Sequence, residues 1–502
     1  MTVSGTTSSD GPAGPGTSGV HARDAPASAG PGAPVWELLR PAVAAPARGR
    51  GRALGSALRE AVREGLLPPG TRLPSTRDLA ADLGVSRGLV TEAYEQLTAE
   101  GYLRSDRGAG TWVGGAARAG RPRARDRAPR RRGASVDFSP GSPDLSMFPR
   151  AGWASAYRGA LADLPHDTLG YPDPRGTPRL RTALAELLTR RRGVVADPER
   201  LLVCSGVTQA VTLLGFVLHA RGERTVGVED PGSPEQGALF ASAGVRSVPL
   251  PLDGEGLAPG PLTDSGVRCA VTTPAHQFPL GIAYSARRRA RLLDWARAVD
   301  GLLVEDDYDG DFRYDRSPVG ALQGLDPERV AYTGSVSKSL APGLRIGWLL
   351  PPARLADELV ERKRTMDLGN PSLDQEALAR FVESGAYERQ LRRCGRAYRE
   401  RRDTLVTALT ECFPGARVTG ISAGLHVIAA LPRRYGPEAR LLARAGEAGI
   451  AVRPLSVYGS AGTRAAAGDG GPVRLVFGYA HLTPARIVTG VRGLAAAVTR
   501  DG

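Results

Sequence analysis

The sequence predicts two unlike folds in one chain: a small, mainly helical module closed by a β-wing and, behind it, a larger α/β layered domain. Three observations predict it. A length of 502 residues exceeds one ordinary core and points to more than one folded unit, since domains usually hold roughly 100–200 residues. Apolar residues recur at helical spacing early in the chain, whereas from Leu201 onward short apolar runs alternate with amphipathic stretches. Between the two, residues 116–132 carry eight arginines and one acid, half of the chain's formal excess of +14.

The chain accordingly divides into a low-complexity tail (1–33), a compact segment (34–115), an Arg/Pro-rich linker (116–135) and a long remainder (136–502). The tail is rich in Gly, Ala, Pro, Ser and Thr and predicts disorder. Like charges together with Pro122 and Pro129 should keep the linker extended; a solvated spacer and a strip of arginines lying on nucleic-acid phosphates both fit it.

In the compact segment Leu54, Leu58 and Val62 lie one helical turn apart, and Pro68-Pro69-Gly70 ends that helix. Ser75 with Asp78 three residues on forms a capping box for a second helix through Leu79 and Leu83, closed by Gly84. Ser86 then caps a third, whose buried stripe is Val90, Ala93 and Leu97. Tyr102-Leu103 and Thr111-Trp112-Val113 predict two short strands around Arg107-Gly108-Ala109-Gly110.

The second and third helices, joined by so short a turn, make a helix-turn-helix, with the third shaped for a major groove. Ser75, Arg77, Ser86, Arg87, Thr91, Arg107 and Gly110 are the candidate DNA-contacting residues, because helix N-termini and arginines attract phosphates. A small helical interaction module is the alternative reading of the same pattern.

Composition excludes several classes. The most apolar long stretch, Leu201 to Ala220, is broken by Ser205, Thr208 and Gln209, so no membrane span is expected. The first residues show no cationic start followed by an apolar run, which predicts a cytoplasmic protein. Four cysteines without a C-x-x-C pair and six histidines without H-E-x-x-H spacing suggest neither disulfides nor a metal.

In the long remainder, strands are expected at Leu201–Cys204, Thr225–Glu229, Cys269–Thr273, Leu302–Glu305, Val330–Thr333 and Ile346–Leu350, with ligand-binding groups just beyond their carboxyl ends. Three needs of pyridoxal 5'-phosphate can be sought there: an amine for its aldehyde, a carboxylate for its ring nitrogen and a cradle for its phosphate. Only two lysines exist, Lys338 just past a strand and Lys363 in an exposed-looking Glu-Arg-Lys-Arg run, so Lys338 is the candidate amine. Arg345 offers a guanidinium fork, and Ser205-Gly206-Val207-Thr208 opens a helix toward the same anion. The acid cluster after Leu302 offers Asp306 for the ring nitrogen and Tyr308 for the phenolic oxygen. A calcium loop through Asp307, Asp309 and Asp311 is the weaker alternative, with Phe312 and Pro318 at positions that need Gly and Glu.

Two resemblances sharpen this reading. The run Leu67-Pro-Pro-Gly-Thr-Arg-Leu-Pro-Ser-Thr-Arg-Asp-Leu-Ala80, then Leu83-Gly-Val-Ser-Arg87, Tyr94-Glu-Gln-Leu97, Glu100-Gly-Tyr-Leu103 and Gly108-Ala-Gly-Thr-Trp-Val113, resembles the GntR-type winged helix-turn-helix, with Gly88 where Asn is common. Tyr171-Pro-Asp-Pro-Arg-Gly176, Glu229-Asp-Pro-Gly232, Thr273-Pro-Ala-His-Gln-Phe-Pro279, Glu305-Asp-Asp-Tyr308 and Ser337-Lys-Ser-Leu-Ala-Pro342 resemble the type I aminotransferase-like fold, in the form found in the MocR subfamily of GntR-type regulators.

The resemblance implies a fold class of winged helix-turn-helix plus α/β aminotransferase-like domain, and a regulator that binds pyridoxal 5'-phosphate through a Schiff base at Lys338. It further implies that Asp306 and Tyr308 hold the ring and that Arg345 and Ser205 hold the phosphate, with Gly206, Val207, Ser335 and Ser337 completing the expected cofactor-binding set. Tyr171 would reach the partner subunit of a homodimer, and two readers would engage paired half-sites of a double-stranded DNA operator. His276 stands where aminotransferases carry Asn; a hydrogen bond to the phenolic oxygen and a plain loop histidine both fit. Arg474 aligns with the arginine that pairs a substrate carboxylate, Arg453 competes with it, and Ser233 replaces a common aromatic. The effector would be the cofactor or an amino compound, with a working aminotransferase as the alternative.

Overall fold

The computed structural model describes residues 39, 44, 49–106, 110–115, 134–314, 319–463 and 471–499. Most of the linker, Arg107 and Pro318 lie outside them. The chain divides into two units, Met1–Arg130 and Arg131–Gly502.

In the first unit the expected helices are Arg50–Arg63, Thr76–Leu83 and Arg87–Ala99. Leu54, Leu58, Leu79, Val90, Leu97 and Val113 are buried in one cluster, each large aliphatic contributing roughly 1.5–3 kcal/mol relative to exposure. Ser75 Oγ accepts from the Asp78 N–H at 3.2 Å, Gly84 ends its helix at φ 65°, and Ser86 Oγ accepts from the Leu89 N–H at 3.4 Å. The wing holds three strands rather than two: Gly110–Val113 lies between Leu103–Asp106 and Arg72–Leu73, antiparallel to both. The third strand is only two residues long, too short for any alternation to reveal it.

The second unit is built on an eight-stranded sheet. From one edge its strands are Leu202–Cys204, Gly347–Leu350, Val330–Ser335, Leu302–Asp306, Cys269–Thr272, Thr225–Asp230, Arg246–Asp253 and Gly256–Leu257. The apolar runs are continuous because both faces are covered. Leu302 and Val304 pack on one side with Leu213 and Leu359. Leu303, between them, points to the other side with Leu292 and Trp295, as the two-residue period of a strand requires.

Strand Gly347–Leu350 runs antiparallel to both neighbours. Its beginning therefore shares an edge with the ends of the parallel strands: Gly347 pairs with Ser335, and Arg345, two residues earlier, arrives beside Ser205. A smaller antiparallel sheet orders Arg417–Thr419, His426–Leu431, Val473–Gly478 and Arg453–Pro454. It packs with the 27-residue helix Ala386–Cys412 in the largest core, around Leu405, Phe413, Leu475 and Phe477. Ser135, the last residue assigned to the linker, is already tied into this unit by its N–H to Gly449 O at 2.7 Å.

Candidate functional site

At that sheet edge lies a cavity of about 300 Å³ lined by Gln236, Asp306, Tyr308, Lys338, His426 and Tyr458, among others. Lys338 sits in the turn after strand Val330–Ser335, and its Nζ donates to Gly141 O at 2.5 Å. Burial holds this amine below its ordinary value, against the opposing pull of Asp309 and Asp306, which favours the neutral, nucleophilic form. In the same turn Ser337 N–H donates to Ser335 Oγ at 3.3 Å.

Asp306 is the last residue of its strand. One oxygen, Oδ2, accepts from Gln236 Nε2 at 3.0 Å; the other, Oδ1, is buried and has no hydrogen-bond partner among the described residues. Burial pushes this carboxyl up to about 6. A buried oxygen without a donor is costly unless a donor arrives.

Tyr308 lines the cavity, whereas His276 stands behind it. The His276 Nδ1 lies 3.0 Å from the Tyr308 hydroxyl and 2.9 Å from Asp309 Oδ2. His276 thus sits in a buried loop with Nδ1 shared between Tyr308 and Asp309, while its Nε2 is buried without a hydrogen-bond partner among the described residues. His276, Asp309 and His426 together form a buried group whose candidate ligand atoms lie within 4.8 Å of one another. Motif spacing could not disclose it, because three separate segments supply the residues. Burial and His276 push His426 down to about 3, so it stays neutral.

The cradle is formed where strand Leu202–Cys204 meets helix Val207–Ala220. Gly206 occupies the cap at φ 81°, and a Cβ there would lie 3.0 Å from Arg345 Nη2. Arg345 Nη2 donates to Ser205 O at 2.5 Å. Free N–H groups at the start of a helix favour an anion. The Ser205 N–H is taken by Gln209 Oε1 at 2.7 Å, while Ser205 Oγ accepts from Asn370 Nδ2 at 2.7 Å. An amine, a carboxylate oxygen awaiting a donor, and a cationic cradle at one sheet edge fit pyridoxal 5'-phosphate.

Other expected residues fall outside the cavity lining. Tyr171 is 91% exposed. Arg474 is exposed opposite Ala430, and Arg453 is exposed opposite Val476 on the next strand; the charges of Arg453 and Glu235 both reach Tyr458. Ser233, unlike these, does line the cavity, and its Oγ donates to Glu235 Oε2 at 2.7 Å. The three alternating acids disperse: Asp307 pairs with Arg192 at 2.7 Å, Asp309 with His276, and Asp311 with Arg191 at 3.0 Å, so they do not converge as a calcium loop. Lys363, in a run that reads as exposed, instead has a side chain that is 0% exposed and paired with Asp367.

Gln236 and Asn370 are the residues that sequence reasoning passed over. Gln236 lies in the first turn of helix Pro234–Ser242, just past the end of strand Thr225–Asp230, and the strand-end rule could have flagged it. Asn370 follows a helix and carries no comparable mark.

In the first unit, Arg77 and Arg87 are exposed at the starts of adjacent helices, and Arg87 Nε meets Thr76 Oγ1 at 3.4 Å. Ser75 and Ser86 are engaged as caps. Thr91 Oγ1 donates back to Arg87 O at 3.0 Å, and Gly110, at φ 125°, lies under the Arg72 guanidinium. Arg72 and Arg104 each stand 5.9 Å from the Trp112 ring on the wing, a cationic surface that the sequence pattern did not single out.

Residues 136–490 match the family model for aminotransferase class I and II, and residues 51–113 match that for the gntR family of bacterial regulatory proteins. The chain is 32% identical over 425 residues to the HTH-type pyridoxine biosynthesis transcriptional regulator PdxR of Corynebacterium glutamicum, covering 84% of this chain and 90% of that protein. It is 34% identical over 471 residues to the probable rhizopine catabolism regulatory protein MocR of Rhizobium meliloti, covering 89% and 93%. Among solved structures, the kynurenine aminotransferase of Pyrococcus horikoshii in complex with PMP superposes with a TM-score of 0.64 at 27% identity, over 73% of this chain and 91% of that one. A multiple-substrate aminotransferase of Thermococcus profundus gives 0.65 at 25% identity, over 74% and 92%.

Proposed function

The chain belongs to the MocR subfamily, GntR-type regulators with an aminotransferase class I and II domain, and we propose that it controls transcription by sensing pyridoxal 5'-phosphate, or an amino compound that reacts with it, at Lys338. The observation that carries this reading is the pairing, in one cavity, of the Lys338 amine with the buried, unpartnered Asp306 Oδ1.

When bound, the cofactor supplies an aldehyde carbon for amines and an electron-withdrawing ring. Lys338 offers the amine. Asp306 would keep a proton on the ring nitrogen by opposite charge, and the Tyr308 hydroxyl would bond the phenolic oxygen. Arg345, Gly206, Val207 and the Ser205 hydroxyl take the phosphate, with Ser335 and Ser337 in the adjoining turn. Tyr171, so exposed on one chain, suits a contact with a second copy, and a dimer would set two readers on paired half-sites. An effector carboxylate would be met by Arg453 or Arg474. The name of the PdxR relative supports vitamin B6 supply as the controlled process.

Sensing requires that the two states of the cavity differ in DNA affinity or DNA geometry. The test is borohydride reduction of protein incubated with pyridoxal 5'-phosphate, peptide mapping of the label, and operator affinity and bending measured with cofactor, without it and with added amines. Label at Lys338 with state-dependent DNA binding is expected. An unlabelled Lys338 and identical DNA behaviour in every state would overturn the proposal.

The aminotransferase neighbours and the Lys338, Asp306 and Arg345 set support a second reading, a working aminotransferase. Steady-state amino transfer to a keto acid at ordinary enzymatic rates would promote it over the first.

A further inference from the structure

Lys363 is one of two lysines among 66 basic residues, and its side chain is 0% exposed. A buried ammonium is costly unless it is paired and fully bonded. Its Nζ donates to both oxygens of Asp367, one helical turn on, at 2.9 and 2.8 Å. Asp367 also accepts from Gly369 N–H at 2.9 Å and from Gln209 Nε2 at 2.6 Å. The other end of that amide, Gln209 Oε1, accepts the Ser205 N–H at 2.7 Å, and Asn370 Nδ2 holds Ser205 Oγ at 2.7 Å. The segment from Lys363 to Asn370 thus grips the cradle loop at its backbone and at its hydroxyl.

We infer that Lys363 is a positioning residue for phosphate binding at Ser205–Val207, acting through Asp367 and Gln209. It has two effects. It holds the Asp367 carboxylate where Gln209 can brace Ser205, and it cancels a negative charge that stands one glutamine side chain from a site built for an anion. An uncancelled carboxylate there repels phosphate, and more strongly in a buried setting than in water. The inference rests on the cofactor reading above, because it needs the cradle to receive the cofactor's phosphate.

The experiment uses the full chain and two probes that differ only in that group, pyridoxal 5'-phosphate and pyridoxal, titrated calorimetrically. Lys363→Met should weaken pyridoxal 5'-phosphate binding by about tenfold or more while changing pyridoxal binding by less than about twofold. The double variant Lys363→Met/Asp367→Asn, which removes both charges and keeps an acceptor for Gln209, should recover affinity to within about threefold of the unaltered chain. Equal losses for the two probes, no loss in a folded Lys363→Met, or no recovery in the double variant would each overturn the inference.

Should Lys363→Met fail to fold, Asp367→Asn alone decides. It leaves the lysine charge uncancelled, so pyridoxal 5'-phosphate should bind at least as tightly as to the unaltered chain; weaker binding overturns the inference. Absence of pyridoxal 5'-phosphate binding by the unaltered chain brings down the cofactor reading and this inference together. Unchanged binding by Lys363→Met brings down this inference alone.

Discussion

The hydroxyl of Tyr308 shares one nitrogen with a carboxylate: His276 Nδ1 stands 3.0 Å from that oxygen and 2.9 Å from Asp309 Oδ2. A carboxylate only accepts, so the imidazole proton is directed at Asp309 with the tyrosine oxygen beside it. Burial and Asp309 both hold the Tyr308 hydroxyl well above its ordinary value, so it stays protonated.

His276→Phe keeps the ring volume and removes the shared nitrogen, leaving Asp309 buried without that donor. A loss of roughly 1–3 kcal/mol is expected, read by denaturant unfolding of the cofactor-free protein, together with a changed absorbance of the bound cofactor. Unaltered stability would mean that the contact contributes nothing.

The Asp306 carboxyl titrates at about 6 in the cofactor-free site, where burial disfavours its charge. Below that pH it is neutral and cannot pair with a protonated ring nitrogen. Cofactor affinity should therefore fall as pH drops through about 6, by up to about tenfold per pH unit from this group. The same raised value makes the empty fold lose stability as pH rises from the ordinary aspartate range to about 6, and a bound cation offsets that loss. Asp306→Asn should bind more weakly throughout and lose this break. A break at the same pH in Asp306→Asn would assign it to another group.

Much of this was legible in the residues, for identifiable reasons. Buried parallel strands are written as unbroken apolar runs, so Leu302–Glu305 and Val330–Thr333 stand out, and the strand-end rule leads from them to Asp306 and Lys338. Strand Arg246–Asp253 did not stand out, because Pro249 and Pro251 mask it, although it pairs with Thr225–Asp230 throughout. The run Glu361-Arg-Lys-Arg364 has the composition of a solvated face. Helical geometry nonetheless turns its third residue inward, to an acid one turn away that no spacing rule separates from surface pairs. The grouping of His276, Asp309 and His426 depends on tertiary approach of distant segments and left no local trace.

Arg87 is exposed at the first turn of its helix, beside Thr76 at the start of the preceding one. If it neutralises a DNA phosphate, Arg87→Ala should weaken operator binding and flatten the logarithmic salt dependence by about one unit. The measurement is operator affinity across a salt series. Equal affinity and slope would remove Arg87 from the contacting set.

Leu54 has no exposed surface in the core of the first unit, whereas the second unit buries three clusters of its own. Leu54→Ala should cost roughly 2–5 kcal/mol, a large share of the stability of so small a module. Operator binding should then be lost at temperatures where Lys338 still takes up pyridoxal 5'-phosphate. Calorimetric scans should show a low-temperature transition that shifts downward and a second that does not. A parallel downward shift of both would show that the reader and the cofactor-binding domain unfold as one cooperative body, and that damage to the first cannot be separated from the chemistry of the second.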